Sequence, residues 1–258
     1  MEDKLGNREQ GTGNRLLGEK RRRGEKENRI LPLPISYSLL PYFWLVCMAA
    51  FLGYGLSSWG RAQSGRVQCA NLVYAGNKSS QCFSDAFLGR LGQVTRIRVE
   101  ERFRKVRLDS TELSSYPFAV MTGQGRFTLT EKDRLQLRHY LMQGGFLLAS
   151  AGCSDPQWAR SFRGEIGRLF PQSRLERLPL SHPIFRTVYK IDRLDTKKRS
   201  GQTTIEALTL QGRVVLVFSP DGLNDTEHAI NGCCCCGGDE IRGAEFLNLN
   251  ILAYCLLH

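Results

Sequence analysis

Between Ile30 and Gly60 the sequence has no charged side chain, and from Leu39 to Leu56 it has almost no polar one. An ordinary core helix would show a polar face, so that reading is excluded for this stretch. Its length approaches the roughly 20 apolar residues that a membrane crossing needs. Residues 1–29 have the opposite deficit. No apolar period runs through them, which excludes a packed element and reads as a basic disordered tail. They hold nine Lys and Arg against six Asp and Glu, a net +3. Acidic residues are also scarce overall: 25 against 36 basic ones, for a formal charge of +11. Such a balance favours anionic partners. No internal repeat is present, which excludes a solenoid. The apolar share of 41% excludes global disorder.

Two addresses fit the amino-terminal part. Residues 30–60 act as an uncleaved transmembrane anchor, with the basic run Lys20-Arg21-Arg22-Arg23 kept inside. Alternatively they are a signal peptide cut after Ala62, where Gly60 and Ala62 supply the small residues. In both, residues 66–258 leave the cytoplasm and stand at the cell membrane, or are secreted or periplasmic.

That exported part alternates strands and helices. Arg66 to Ala75 reads as a strand, Asp85 to Leu91 as the apolar face of a helix, and Thr95 to Val99 as an alternating strand. Tyr116 to Thr122 and Phe146 to Ala151 are short, nearly continuous apolar runs, as in strands covered on both faces. Thr128 to Gln143 is a helix with Thr130 and Asp133 placed as a capping box, Leu135, Tyr140 and Leu141 near one face, and Gly144-Gly145 as its stop. Asp155 and Pro156 open a helix that runs to Phe170. Ile205 to Leu210 and Val214 to Phe218 form a hairpin about Gln211-Gly212, and a last helix runs from Ala244 to Leu257. Lys190 to Gln202 is expected to be a mobile surface loop. The pattern predicts an α/β fold: a flavodoxin-like, doubly wound, mostly parallel sheet with helices on both faces and an antiparallel addition.

The segments YPFAVMTGQGRFTLT, LRHYLMQGGFLLASAGCSD, LSHPIFRTVY, GRVVLVFSPDGLND and CCCCGGDEI resemble the bacterial family called domain of unknown function 4159, over about Arg66 to His258. The resemblance implies a fold similar to class I glutamine amidotransferases and ThuA-like proteins. It implies little chemistry, because fold does not dictate activity.

Ligands of such sheets bind beyond the carboxyl ends of the strands. Three loops should meet there: Gly123 to Arg126, Gly152 to Asp155, and Ser219 to Gly222. Cys153 stands between a buried strand and a helix, the place of an amidotransferase nucleophile. The glycine-flanked elbow is absent, however, and His182-Pro183-Ile184 lacks the orienting carboxylate of an amidotransferase base. Gly123 and Gly125 could shape an anion nest or a plain turn. Ser154, Asp155, Ser219 and Asp221 complete the candidate ligand-binding set, Asp221 being either an orienting carboxylate or a turn residue.

Eight of the nine cysteines follow the apolar segment. Within Cys233-Cys234-Cys235-Cys236, the pair Cys233 and Cys236 has the spacing of a metal knuckle, and Cys153 could add a ligand for zinc. Cys69, Cys82 and His182 are weaker candidates. Disulfides within the set, or buried free thiols, are the other readings. The basic residues Arg96, Arg98, Arg102, Arg104, Lys105 and Arg107 suggest either a solvated edge or contact with anionic lipid, cell-wall polymer or envelope proteins. Nucleic acid is not expected, because interleaved aromatics are lacking. The functional expectation is a non-catalytic envelope domain that binds a partner, ligand or metal. The alternatives are a hydrolase or amidotransferase using Cys153, and a structural part of an envelope complex.

Overall fold

The computed structural model describes residues 65–79, 82–229, 233 and 238–258. The apolar segment Leu39 to Leu56 and its basic tail lie outside these residues. Among the described residues no helix is long and apolar enough to cross a membrane.

The architecture is α/β, with helices on both faces of one seven-stranded sheet in the order β2-β1-β3-β4-β7-β6-β5. The strands are β1 (Cys69–Val73), β2 (Arg104–Arg107), β3 (Phe118–Gly123), β4 (Phe146–Ala151), β5 (Glu176–Arg177), β6 (Glu206–Leu210) and β7 (Arg213–Ser219). β2, β1, β3, β4 and β7 run parallel, while β6 is antiparallel to both of its neighbours. The order of the parallel strands is that of the flavodoxin-like winding, with the reversal between β1 and β3. The central strands β3 and β4 are buried over nearly their whole length, which is why their sequences are continuous apolar runs rather than alternating ones.

The helices are α1 (Ala86–Val94), α2 (Glu131–Met142), α3 (Pro156–Leu169) and α4 (Ala244–Leu257). Phe87, Leu88 and Leu91 of α1 join Leu247, Ile251 and Leu252 of α4 over Val120 and Leu148. Leu137 and Tyr140 of α2 join Trp158, Phe162 and Ile166 of α3 over Ala119, Met121 and Leu147. Alternate residues of one strand thus feed two separate cores. The capping box of α2 forms in both directions between Thr130 and Asp133. Asp155 caps α3 by accepting from the Gln157 and Trp158 N–H groups. The hairpin turns on Gln211 and Gly212, both at positive φ (51° and 79°), the combination that matches strand twist.

Three expectations are corrected. Thr95 to Val99 is no strand; only Val67 bridges Val99, and the edge strand is Arg104–Arg107. The expected alternation survives there with only that single bridge, since Val99 is buried while Arg96 and Arg98 are exposed. Leu135 does not share the buried face of α2. It is 69% exposed, and the capped carboxylate Asp133 takes a buried position instead. Residues 190–202 are not a free loop. Asp195 bridges Gln202, Thr196 bridges Ile241, and the Lys198 and Arg199 N–H groups donate to Asp239.

Candidate functional site

The carboxyl ends of β1, β3, β4 and β7 open on one edge of the sheet, and the three expected loops meet there. Gly123 ends β3 beneath Tyr74. A Cβ on Gly123 would fall 2.3 Å from the Tyr74 hydroxyl, so the buried aromatic corner requires glycine at this position. The Trp158 Nε1–H donates to the Tyr74 hydroxyl at 2.6 Å, and that hydroxyl donates to the Thr122 carbonyl at 3.2 Å. Tyr74 is thereby held, 1% exposed, against the end of β3 next to the switch point.

The β4–α3 turn carries the central residues. Cys153 and Ser154 both lie at φ 53°, two successive left-handed residues without glycine. Such conformations are costly for side chains with a Cβ and need support from their surroundings. Support comes from both sides. Gln124 Nε2 donates to Cys153 Sγ at 2.9 Å. The Ser154 hydroxyl accepts from the Asp239 N–H at 3.0 Å and donates to the Asp239 carbonyl at 2.7 Å. Asp155 accepts from the Gly125 N–H at 2.9 Å besides capping α3. Burial pushes the Asp155 carboxyl up, but its backbone donors outweigh that and hold it below the ordinary carboxylate range. Gly125, at φ +71°, is a turn residue tied to this cap.

Beyond β7 the carboxylates are likewise engaged. Ser219 is fully buried and donates to the Asp221 carbonyl at 2.5 Å. The Asp221 carboxylate accepts from Arg199 and Thr203. Asn224 Oδ1 accepts from both Thr122 and Ser150 hydroxyls, which joins the loop to β3 and β4. Asp225 faces His228 at 2.9 Å, and this pairing raises the imidazole pKa. Burial raises the Asp225 pKa despite that partner. Glu240, 1% exposed, holds Thr226 and Lys197.

Asp239 is the hub. It accepts from the Lys198 and Arg199 N–H groups and the Arg199 guanidinium. Burial pushes its pKa up, yet these donors and the Thr196 hydroxyl bring it far below the ordinary carboxylate value. A depressed folded pKa contributes stability that is fully present above the unfolded value of about 3.9 and is lost as pH falls through and below it. Asp239→Asn is expected to lower stability by about 2 kcal/mol at pH 7. The variant should also lose less stability than the parent between pH 5 and pH 2.5, measured by urea unfolding. An unchanged acid limb would show that Asp239 is not the titrating hub.

Cys82 and Cys233 are joined as a disulfide, with their Cα atoms 5.5 Å apart. Gly238 is pressed on the Cys153 carbonyl, where a Cβ would lie 1.8 Å from the oxygen. These two contacts bracket Cys234, Cys235 and Cys236, which lie outside the described residues. Cys233 therefore cannot act as a metal thiolate while bonded to Cys82. Among the described residues no group of three His, Cys, Asp or Glu side chains is placed to hold a metal ion.

The remaining candidates lie elsewhere. Cys69 is a fully buried thiol and Cys255 a partly buried one. Burial pushes the pKa of both up, that of Cys255 to about 12, so both stay protonated and unreactive. His182 caps the turn Pro183–Arg186, accepting from the Ile184 N–H through Nδ1, with its ring 5.4 Å from Tyr254. Tyr254 in turn packs on Phe146, the first residue of β4. His182 thus sits at the amino edge, while Cys153 follows the far end of the same strand, about 17 Å along it. The basic residues Arg104, Lys105 and Arg107 lie exposed on the outer strand β2. Arg102 pairs with Asp85 and Arg107 with Asp109. Arg199, Lys197, Asp239 and Glu240 were missed by sequence reasoning. Their only signal was charge in two separated segments, KKR and GDE.

A search of curated proteins finds no match to this chain. The model of the family described as Domain of unknown function (DUF4159) matches residues 69–240, which runs from β1 through the whole carboxyl-edge site to Glu240. The chain belongs to that family.

Proposed function

We propose that the domain is a non-catalytic binding module of class I glutamine amidotransferase-like fold, displayed outside the cytoplasm, whose ligand or partner meets the carboxyl edge at the Cys153 corner. One observation carries this reading: His182, the histidine weighed from the sequence against an amidotransferase base, lies at the opposite edge of the sheet from Cys153. The neighbouring carboxylates support it, since Asp155, Asp221 and Asp239 hold loops together rather than face a substrate. Zinc enters this reading only through reduction of the Cys82–Cys233 bond, which would return Cys233 to the set with Cys153 and Cys236.

The enzyme alternative has one observation in its favour, the paired left-handed residues Cys153 and Ser154 at a strand–helix turn. The test is incubation of the full chain with an electrophilic glutamine analogue, followed by peptide mass mapping. The binding reading expects no faster labelling of Cys153 than of free cysteine at the same pH. Rapid, saturable labelling of Cys153 would overturn it in favour of a cysteine-dependent enzyme.

A further inference from the structure

Among the described residues, two adjoining cavities at the amino edge are independent of the carboxyl-edge site. The first, about 320 Å³, lies between the end of α2 and the β6–β7 hairpin. Its walls include Leu141, Met142, Gly144, Leu210, Arg213 and Val215. The second, about 220 Å³, adjoins it across Gln143 and Gly144 and brings the Ser114 and Ser115 residues and the Tyr140 ring. No acidic side chain lines either one. Arg213 is half-buried in the first, with Nη2 3.8 Å from where a Gly144 Cβ would stand. Among the described residues its guanidinium has neither an ion-pair partner nor a side-chain hydrogen bond. Arg138, by contrast, is spent on the Leu169 carbonyl and the Phe170 ring.

The planar fork of a guanidinium matches a carboxylate or phosphate. The surrounding wall is mixed: Leu210 and Met142, the latter 45% exposed, supply apolar surface, and Gln143 and Gln211 supply polar surface. The cavity volume falls at the small end of ligand sites, which run from about 300 to 1,000 Å³. Only one full positive charge is present, and the carboxyl end of α2 adds a partial negative charge nearby. A dianion such as free phosphate is disfavoured by that arrangement, and a wholly apolar guest would leave Arg213 unpaired. We propose that this cavity binds a small monocarboxylate with an apolar body, its carboxylate on Arg213 and its chain against Leu210 and Met142.

The test uses the full chain and three probes: hexanoate, hexanamide and inorganic phosphate. Binding is followed by calorimetry and by methyl NMR shifts of Met142 and Leu210. Saturable binding of hexanoate with shifts in those methyls is expected. Hexanamide and phosphate should bind at least about tenfold more weakly, the scale of a lost charge-assisted hydrogen bond. Arg213→Met should weaken hexanoate by a similar factor, while Arg213→Lys retains part of it. The wild-type comparison of hexanoate with hexanamide stands even if a variant fails to fold. Equal binding of acid and amide, phosphate binding as tight as hexanoate, absence of saturable binding, or shifts confined to other methyls would each overturn the proposal.

Discussion

Trp158→Ala should destabilise the domain by about 4 kcal/mol or more, the largest loss expected from a single core truncation here. Trp158 is fully buried. Its ring stacks on Phe162 at 5.2 Å and contacts Phe127 and Phe218 at 5.4 and 6.3 Å. Removing it opens a cavity among aromatic walls that cannot collapse. It also removes the indole N–H from the Tyr74 hydroxyl, leaving a buried oxygen with one partner fewer. Because Tyr74 reaches the Thr122 carbonyl at the end of β3, the damage should spread to the carboxyl-edge turn. Trp158→Phe should recover most of the packing while still losing the hydrogen bond, about 1–2 kcal/mol. Chemical unfolding of the three proteins checks this. A Phe variant as damaged as the Ala variant would place the main contribution in the hydrogen bond, against this account.

Reduction of the Cys82–Cys233 disulfide is expected to have a comparable effect. The bond closes a loop with a sequence separation of 151 residues. In the chain-entropy view, closing a loop of that size restricts the unfolded ensemble by about 5 kcal/mol, with measured losses commonly about 2–5. For a domain of this length each kcal/mol corresponds to about 2–4 °C in melting temperature. A fall on the order of 10 °C is therefore expected on reduction. Cys82→Ser, Cys233→Ser and the double variant should all show the same fall under oxidising conditions, and none should respond further to reductant. Losses that add in the double variant would mean that the two cysteines act separately. The readout also bears on the site. Cys233 is one of the two points that hold the cysteine run, so its release should raise the reactivity of Cys153 toward a small alkylating reagent.

Periodicity marked most of the elements because each answers a local rule. β4 and α4 occupy Phe146–Ala151 and Ala244–Leu257, the spans predicted from their apolar runs. The Thr130–Asp133 box, the Asp155 cap and the Gln211-Gly212 turn depend on neighbours two or three residues away, so short strings suffice to find them. The edge strand was misplaced for the same reason. Arg96-Ile97-Arg98-Val99 alternates, while Arg104-Lys105-Val106-Arg107 carries one apolar residue among three charged ones, and which of them joins β1 depends on the length of chain after α1. Leu135 was assigned to the core face although the wall opposite it is solvent, a fact that only the packing of α2 against the sheet decides.

For the candidate site, sequence reasoning reached as far as chain order allows. Loops that follow parallel strands share an edge, so Gly123, Cys153 and Ser219 could be brought together without coordinates. The pairings at that edge could not. Asp239 meets Arg199 and Ser154 across 40 and 85 residues, and Cys82 meets Cys233 across 151. Nothing local favours one such pair over another, because long-range contacts are chosen by the closure of the whole sheet. His182 shows the same limit from the other side. Its residue type admitted a catalytic role, and only the stacking of the final helix on β4 put it at the edge away from Cys153.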